Sequence, residues 1–407
     1  MRSKSDKKKS LVPRLRFPEF REAGAWEKKR LGTQGGFLTP LSGKSAKDFD
    51  AGDAKFIPYM NVFSNTFTDI QDLRSVIITD DESQNAVAKG DVFFTVSSET
   101  PEEAGMSSVL LGDVDRCYLN SFCALFRFDD HLSPNLIFLG YLLRSRSVRC
   151  HLSRGAQGAT RYNISKLVFK ELPLVFPLAK EQQKIAHCLS SLDEVIGLQA
   201  KKVQALKQHK KGLMQQLFPA EGETTPRLRF PEFREAGAWE VKRLGDVCVI
   251  RTGKKDANEG HENGIYPFFT CAENHIYSNS HSFDCEAILV AGNANVGQTK
   301  HYRGKFEAYQ RTYVLTDFSD INTQYLYSYL GGNLQNDMAL QVQTSAMSYI
   351  KLPMLKNYKV PAPRNPIEQQ KIAHCLSSLD EVIGLESHKL DALKNLKKGL
   401  MQQLFPQ

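Results

Sequence analysis

The chain has 407 residues, a formal net charge of +8 and 41% hydrophobic residues. It is too long for one typical domain, and its composition is that of a globular protein rather than a disordered or membrane-embedded one. The basic surplus favours a polyanionic partner such as DNA, but charge alone does not select one. No apolar run reaches membrane-span length and the lysine-rich start lacks a signal-peptide core, so we expect a cytoplasmic protein.

Two blocks of sequence occur twice. Residues 13–27 (PRLRFPEFREAGAWE) recur at 226–240, and residues 181–198 (EQQKIAHCLSSLDEVIGL) recur at 368–385. The segments between the blocks differ almost completely, so a constant frame carries two variable inserts. A period this long is not that of a solenoid. It predicts two similar half-molecules related by a pseudo-twofold axis, and a partner that offers two sites.

The repeats define six predicted segments. They are an entry segment at 1–30, a first insert at 31–179, a first helix at 180–219, a linker with the repeated entry segment at 220–243, a second insert at 244–366 and a second helix at 367–407. Each entry block contains one tryptophan, Trp26 or Trp239, which we expect to anchor it structurally.

The first insert predicts strands followed by a helix. Gly90-Asp91 precedes the strand-like run 92–98 (VFFTVSS), and 115–128 (DRCYLNSFCALFRF) indicates a further pair of strands. An amphipathic helix is predicted at 136–152, and a polar, glycine-rich loop, GAQGATRYNIS, follows it.

A long helix with one apolar stripe is predicted from residue 181. Its apolar residues alternate at spacings of four and three, as in a coiled-coil seam. The seam includes Ile185, Leu189, Leu192 and Ile196, and its copy includes Ile372, Leu376, Leu379 and Ile383. Polar residues interrupt it at Gln199 and Lys210, and at Glu386 and Lys397 in the copy. Phe218-Pro219 and Phe405-Pro406 end the two helices, because proline cannot continue them.

Two arrangements of these helices are open: they pair with each other, or each packs on its own domain. The matching stripes favour pairing. Only residues 220–225 separate the first helix from the second entry block, so the pair should be antiparallel, with each entry block near the end of a helix and the two termini close together. The sequence therefore predicts an α+β fold: two pseudo-twofold-related domains of mixed β structure with helices, joined by two long antiparallel coiled-coil helices.

The second insert follows the same order as the first. Residues 285–315 contain two β-rich runs around Gly292, Gly297 and Gly304. A helix is predicted at 323–340, and a second polar loop, QVQTSAMSYI, follows it.

Polar and basic side chains cluster at corresponding places in the two inserts. Arg suits guanine, and Asn or Gln suits adenine, at base edges in the major groove. An ordinary solvated turn is the alternative for any one of these residues. The predicted DNA-binding residues are Ser97, Ser98, Asn120, Gln157, Thr160, Arg161 and Asn163 in the first insert, and Lys254, Asn293, Asn295, Gln298, Gln310, Arg311, Gln343 and Ser345 in the second.

No catalytic motif is found in the sequence. Gly43-Lys44-Ser45 and Gly253-Lys254-Lys255 lack the upstream glycine of a phosphate-binding loop, and neither a Gly-x-Ser-x-Gly elbow nor an HExxH motif is present. Cys271, His275, His281 and Cys285 have residue types that suit zinc, but the first insert has no equivalent, so we expect no metal site. The eight cysteines include no CxxC pair and are expected to be buried reduced thiols.

The frame resembles the specificity subunit of type I restriction-modification enzymes. The resemblance rests on the LRFPEF…W entry, on the EQQKIAxxLxxLDxxI helix start and on the glycine-rich loop that ends in Asn-Ile-Ser, and it spans essentially the whole chain. The second loop departs from this pattern because it lacks the glycines and the Asn-Ile-Ser.

The resemblance implies that the inserts are target recognition domains 1 and 2, each reading half of a bipartite site in double-stranded DNA. It implies that the two helices set the spacing of the half-sites and dock two methyltransferase subunits, and that restriction and translocation subunits join this core. The chain itself is then not an enzyme and binds no cofactor; S-adenosylmethionine, ATP and Mg are expected on partner subunits. The competing hypotheses are a methyltransferase or nuclease acting alone, and a coiled-coil scaffold that binds only protein.

Overall fold

The computed structural model describes residues 11–132, 134–343 and 349–406. The chain divides into two compact units, Met1–Leu198 with Leu390–Gln407 and Gln199–Lys389. We call them unit 1 and unit 2. No helix among the described residues is long and apolar enough to cross a membrane.

Unit 1 contains the first insert between an entry segment and a long helix. Its strands are β1 Glu27–Arg30, β2 Gly35–Leu38, β3 Phe49–Ile57, β4 Arg74–Val76, β5 Val92–Thr95, β6 Ser97–Ser98, β7 Ser107–Val109, β8 Cys117–Leu119, β9 Cys123–Phe128, β10 Tyr162–Asn163 and β11 Pro173–Phe176. Its helices are α1 Tyr59–Ser64, α2 Leu136–Leu143, α3 Arg146–Gly155, α4 Lys166–Lys170 and the first half of α5 Ala179–Leu217.

The strands of unit 1 form four small sheets. The largest has the order β2-β9-β5-β7, and the others are β4-β3-β8, β1-β11 and β10-β6. Every residue of β5 is buried, as expected for its aromatic and β-branched sequence at the centre of a sheet. The two strands predicted within 115–128 are present but do not pair with each other. β8 joins β3 in parallel, whereas β9 lies between β2 and β5.

Unit 2 contains the second insert. Its strands are β12 Glu240–Arg243, β13 Val249–Thr252, β14 Tyr266–Phe269, β15 Ile276–Ser278, β16 Phe283–Ala291, β17 Thr299–Ala308, β18 Thr312–Thr316 and β19 Lys359–Ala362. Its helices are α6 Leu244–Val247, α7 Thr323–Gln343, α8 Leu352–Lys356 and α9 Pro366–Leu404, of which the last turns belong to unit 1. Six strands form one sheet of order β13-β18-β16-β17-β14-β15, and β12 pairs with β19.

The α+β class with two repeated domains is confirmed, although the inserts have different sheets. Both inserts pass from strands into a helix, and α2 and α7 begin at equivalent positions relative to the long helix that follows each insert. Asn135 and Asn322 accept hydrogen bonds from the backbone N–H groups of Phe138 and Tyr325, at 2.9 Å in each case, and so cap α2 and α7.

The helix predicted at 136–152 is interrupted in the structure. α2 ends at Leu143 and α3 begins at Arg146. The guanidinium of Arg144 donates to the carbonyl oxygens of Ser107, Val62, Phe63 and Asn65, and so joins the break to neighbouring strands and loops. Gly331 stands at the equivalent position in unit 2, where α7 continues without a break.

Contacts within each unit show that α5 and α9 pair antiparallel. In unit 1, Ile185 and Leu189 share a core with Leu404, and Lys397 Nζ lies 2.6 Å from an oxygen of Asp193. In unit 2, Leu217 shares a core with Ile372 and Leu376, and Lys210 Nζ lies 2.5 Å from an oxygen of Asp380. Residue numbers thus fall along one helix as they rise along the other, and the predicted pairing is confirmed.

Every polar interruption of the seam has a partner on the opposite helix. Gln199 Nε2 donates to Glu386 Oε2 at 2.6 Å and to the Glu386 carbonyl at 2.9 Å, and the lysines pair with the aspartates just described. Ile185, Leu189, Ile372 and Leu376 are buried, whereas Leu192, Ile196, Leu379 and Ile383 are half-buried. The polar pairs fix the register that an all-apolar seam would leave free.

Each entry block is attached to the start of a long helix by a buried ion pair. Arg16 binds Glu181 through Nε and a terminal nitrogen at 2.8 and 2.7 Å, and Arg229 binds Glu368 in the same way at 2.7 and 2.8 Å. All four side chains are at most 8% exposed. The geometry is the bidentate fork of guanidinium on carboxylate. In each unit, the repeated entry block therefore contacts the repeated block that begins the long helix.

The residues after each glutamate make matching contacts. Gln182 and Gln369 accept from the backbone N–H of Asn135 and Asn322, at 3.1 and 2.7 Å, and donate to the carbonyls of Pro177 and Pro363. The start of each long helix thereby holds the start of α2 or α7.

The entry blocks also pack beside the ends of the helices, as predicted. The N–H of Leu15 donates to the Gln403 carbonyl at 3.0 Å, and that of Leu228 donates to the Gln216 carbonyl at 2.9 Å. Trp26 and Trp239 are 2% and 3% exposed, which confirms their anchoring role. The pseudo-twofold relation of the halves remains a prediction.

The cysteines follow the expectation only in part. All eight are free thiols, and Cys117, Cys123, Cys248 and Cys271 are buried. Burial raises the pKa of Cys117 to about 11 and those of Cys123 and Cys248 to about 12, so these thiols are unreactive near neutral pH. Cys150 is exposed, contrary to the expectation.

We predict that Glu368→Ala lowers the free energy of unfolding of unit 2 by about 3–5 kcal/mol, because it leaves the Arg229 guanidinium buried without its partner. Urea denaturation followed by Trp239 fluorescence, in a Trp26→Phe background, measures the change. Glu232→Ala is the matched control. Its carboxylate pairs with Lys371 at the surface, so its loss should destabilise unit 2 far less than Glu368→Ala does. Equal effects of the two substitutions would contradict the assignment.

Candidate nucleic-acid interface

The predicted DNA-binding residues of unit 1 converge on one surface. β6 pairs with β10, so that Ser98 lies opposite Tyr162 and Ser97 opposite Asn163. The backbone of Gln157 exchanges hydrogen bonds of 2.9 and 2.8 Å with that of Asn163. We call the surface formed by Ser97, Ser98, Asn120, Gln157, Thr160, Arg161 and Asn163 site 1.

Two turns bring the remaining residues of site 1 into place. Asn120 Oδ1 accepts from the Phe122 N–H at 2.8 Å, and the Phe122 carbonyl accepts from the N–H of Val96, next to Ser97. In the other turn Gly158 has φ +147°, and a Cβ there would lie 1.9 Å from the Arg161 carbonyl oxygen. Only glycine fits this approach, so Gly158 fixes the turn that exposes Thr160 and Arg161.

Site 1 also contains apolar side chains that the sequence reasoning missed. A cavity of about 380 Å³ is lined by Tyr59, Met60, Phe63, Ser97, Ser98, Glu99, Glu103, Phe122 and Arg161. Met60 and Phe122 are 58% and 61% exposed, which is high for such large apolar groups. Phe122 follows the predicted Asn120 by two residues, but nothing in the sequence places Tyr59 there.

Tyr59 ties α1 to this surface. Its hydroxyl donates to the Ser97 carbonyl at 2.7 Å, and its ring stacks on Phe63 with 6.0 Å between centroids. Burial raises the pKa of Tyr59 above its usual value, so the hydroxyl stays protonated and acts as a donor near neutral pH.

In unit 2, three loops meet at Arg311. The N–H of Gly292 donates to the Arg311 carbonyl at 2.9 Å, and the N–H of Gln310 donates to the Lys255 carbonyl at 2.9 Å. Lys254 and Asn293 therefore lie in loops that meet the turn carrying Gln310 and Arg311. We call the surface formed by Lys254, Asn293, Gln310, Arg311, Tyr349 and Lys351 site 2.

Site 2 pairs a cation with an aromatic ring. The Arg311 guanidinium lies 5.4 Å from the Tyr349 ring centroid, a cation–π distance. A cavity of about 300 Å³ is lined by Thr252, Gly292, Gln310, Arg311, Tyr313, Tyr349, Ile350, Lys351 and Leu352. Lys351 and Tyr349 were not predicted individually, although Tyr349 lies within the predicted loop.

Four predicted residues of the second insert lie outside this arrangement. Asn295 Nδ2 donates to the Cys271 carbonyl at 3.0 Å, and Gln298 lines a different cavity beside α7. Gln343 is the last residue of α7, and its side chain is outside the described part of the structure, as is Ser345 altogether.

The two sites are built at corresponding places despite their different sheets. In unit 1 the N–H of Ile164, at the end of the polar loop, donates to the Val96 carbonyl just after β5. In unit 2 the N–H of Ile350, at the end of the second polar loop, donates to the Gly292 carbonyl just after β16. Each polar loop is thus joined to the end of a central strand, which supports the sequence-based correspondence.

The chemistry of both surfaces is recognition chemistry. They present hydroxyl, amide, guanidinium and aromatic groups, which hydrogen-bond base edges, bind phosphates or stack on bases. Within the described residues, no group of three or more His, Cys, Asp or Glu side chains could hold a metal ion. Of the four residues considered as zinc ligands, His275 packs on Phe269, His281 packs on Tyr266, and the Cys271 thiol faces the Arg311 carbonyl.

Both long helices also expose apolar side chains at repeated positions. Val195 and Leu198 on α5 are 47% and 68% exposed, and their equivalents Val382 and Leu385 on α9 are 40% and 70% exposed. They lie outside the apolar seam, which was the only stripe the sequence reasoning considered.

Comparison with known proteins gives several relatives. The chain is 37% identical over 167 residues to the type I restriction enzyme EcoDI specificity subunit of Escherichia coli, which covers 41% of this chain but only 37% of that protein. It is 26% identical over 299 residues to the MjaVIII specificity subunit of Methanocaldococcus jannaschii, covering 66% of this chain and 69% of that protein. The crystal structure of the type I system S subunit from M. genitalium aligns over 98% of this chain and all of that one, with a TM-score of 0.64 and 18% identity, and so supports the fold.

The family model described as type I restriction modification DNA specificity domain matches twice, at residues 26–208 and 237–395. The two matches cover most of the chain, one for each copy of the frame, and confirm the resemblance read from the repeats. The chain belongs to the family of type I restriction modification DNA specificity domains.

Proposed function

We propose that this protein is the DNA-reading subunit of a type I restriction-modification complex, with each insert recognising one half of a bipartite target in double-stranded DNA. The observation that carries the proposal is the placement of sites 1 and 2. Two inserts with different sheets present polar, basic and aromatic groups beside the ends of their central strands, while the frame around them is repeated.

Sites 1 and 2 would read base edges, and phosphate contacts would fix the orientation of each domain. Arg161 and Arg311 are exposed and lie beside aromatic side chains, so each is able to approach a base edge. In this proposal the protein acts in the cytoplasm, has no catalytic activity and binds no cofactor. S-adenosylmethionine, ATP and Mg would be bound by its partners.

The paired helices α5 and α9 would set the distance between the half-sites. The polar pairs that fix their register support this role, since a slip of one helix along the other would break the contacts of Gln199, Lys210 and Lys397. The same helices would dock two methyltransferase subunits, and restriction subunits would join the assembly. Two equivalent apolar surfaces are available to the two methyltransferase subunits. They are formed by the exposed side chains of Val195 and Leu198 on α5 and of Val382 and Leu385 on α9.

We predict that Arg161→Ala relaxes recognition of one half-site and Arg311→Ala relaxes recognition of the other. Loss of a bidentate base contact should reduce discrimination at one position by about 1–3 kcal/mol. Methylation mapping of genomic DNA, in cells that also express the partner methyltransferase, reports both halves together. Arg154→Ala removes an exposed guanidinium outside site 1 and is the control. Identical motifs for all three variants would contradict base reading by these arginines.

Adding one heptad to α5 between Gln199 and Lys210, with a matching heptad in α9 between Asp380 and Glu386, should lengthen the gap between the half-sites. Seven residues add about 10.5 Å, which is roughly three base-pair steps of about 3.4 Å each. The same seven residues inserted into the linker 220–225 leave the helices unchanged and should not alter the gap. A methylation motif with an unaltered gap in the helix variant would rule out the spacer role.

The double substitution Leu198→Lys and Leu385→Lys should weaken assembly with the methyltransferase at least tenfold, because it places charges in two apolar contacts. Analytical ultracentrifugation of the mixed proteins measures the change. Gln183→Lys with Gln370→Lys adds the same charges at other exposed, equivalent positions of the helices and is the control. If the leucine variant assembles as the unaltered chain does, the docking surface lies elsewhere.

A further inference from the structure

One pair of equivalent positions in the two inserts carries a large side chain in unit 1 and a small one in unit 2. In unit 1 it is Tyr141 on α2, whose hydroxyl donates to Asp193 Oδ2 at 2.7 Å. Lys397 Nζ lies 5.2 Å from the centroid of the same ring and 2.6 Å from the other oxygen of Asp193. Tyr141 is 1% exposed, so a phenol ring fills the space beside this Lys–Asp pair.

In unit 2 the Lys–Asp pair is kept but the ring is missing. Lys210 binds Asp380 at 2.5 and 2.6 Å. These two residues lie 187 positions from their counterparts Lys397 and Asp193. The same spacing separates Asn322 and Tyr325 from Asn135 and Phe138. The same spacing places Ser328 where unit 1 has Tyr141. Ser328 is only 5% exposed, and its hydroxyl has no hydrogen-bond partner in the described part of the chain.

A cavity of about 840 Å³ lies between α5, α7, α9 and the turn before β17, and Ser328 is one of its lining residues. This volume lies within the usual range of small-ligand pockets, roughly 300–1,000 Å³. Gly331 also borders this space. A Cβ at this position would point into the cavity, where the Thr299 hydroxyl, at 3.5 Å, is the one neighbour within 4 Å among the described residues, so the absence of a side chain keeps the space open. Unit 1 has Arg144 at the equivalent position.

The lining of the cavity defines the chemistry of a ligand. Ser328 Oγ and Gln298 Oε1 are both buried without a partner among the described residues, and the Asp380 carboxylate faces the same space, so acceptors for a hydrogen-bond donor are present. Tyr327 provides an aromatic wall for stacking. Lys207 and Lys211 lie at the lining and make no ion pair with the described acidic residues, so they are available to an anion.

We propose that this cavity binds a small aromatic acid whose ring carries a hydrogen-bond donor. The ring would take the place that Tyr141 fills in unit 1, under the Lys210 ammonium, and its donor would reach Asp380, Ser328 or Gln298. The acid group would reach Lys207 and Lys211. The inference concerns unit 2 alone and holds whether or not the proposed DNA-reading function is correct.

The test uses the full chain and three related probes in saturation-transfer NMR titrations. 4-Hydroxyphenylacetate has the ring donor and the acid, phenylacetate lacks the donor, and tyramine replaces the acid by an amine. We expect saturable binding of 4-hydroxyphenylacetate, at least tenfold weaker binding of phenylacetate, and no saturation by tyramine at equal concentrations.

Two variants locate the site. Ser328→Tyr restores the unit 1 ring and should abolish binding of 4-hydroxyphenylacetate while raising the thermal midpoint of unfolding. Lys207→Gln with Lys211→Gln changes only the rim, should leave the fold intact, and should weaken the same probe at least tenfold. It therefore remains informative if the tyrosine variant fails to fold. Absence of saturable binding by 4-hydroxyphenylacetate up to 10 mM, or equal binding of all three probes, would overturn the proposal. Binding that neither variant changes would overturn it as well.

Discussion

The buried ion pairs of Arg16 with Glu181 and of Arg229 with Glu368 are the constraint on which the rest of each unit depends. A buried charge is tolerated only with a well-placed opposite charge, so neither partner is free to change alone. One arginine lies in an entry block and its glutamate lies at the start of a long helix. The pair therefore fixes where the chain enters each unit relative to the helix that follows the insert.

This constraint accounts for which parts of the sequence are written twice. The glutamine after each glutamate holds the start of α2 or α7, and each tryptophan packs into the core beside the same helix start. These contacts join the repeated blocks to each other and to the start of α2 or α7 in each insert. The central strands of the inserts make none of them, so their sheets are free to differ. The described part of the first insert contains three small sheets besides β1-β11, whereas that of the second contains one six-stranded sheet besides β12-β19.

Some features followed from the sequence because they depend on periodicity. The apolar spacing of α5 and α9 predicted their pairing, and the short linker at 220–225 predicted its direction. The long-range ion pairs did not follow, because an arginine and a glutamate 165 or 139 residues apart give no periodic signal. The break at Arg144 was missed for a related reason. The Arg144 guanidinium bonds to carbonyl groups from distant parts of the insert, and tertiary contacts of this kind override local helix propensity.

The candidate sites were predictable to the same degree. Ser97, Asn163 and Arg161 were predicted as DNA-binding residues because their segments are polar, and the structure places all three on site 1. Gln298 lies apart from site 2 and faces a cavity beside α7, because polarity alone does not show which way a side chain points. Tyr59 and Phe63 are brought to site 1 only by tertiary packing. Composition thus locates the polar loop of a candidate site, while the surface that surrounds the loop depends on the tertiary fold.

Exchange of an insert tests most directly whether a fixed frame carries two independent DNA-reading domains. In a chain whose second insert, residues 244–366, is replaced by a second copy of the first, residues 31–179, both frames would carry site 1. Methylation mapping with the partner methyltransferase should then give a symmetric target, in which the first half-site occurs twice in inverted orientation across the gap. A folded, methyltransferase-bound chain that still methylates the original asymmetric target, or reads neither half-site, would contradict the account.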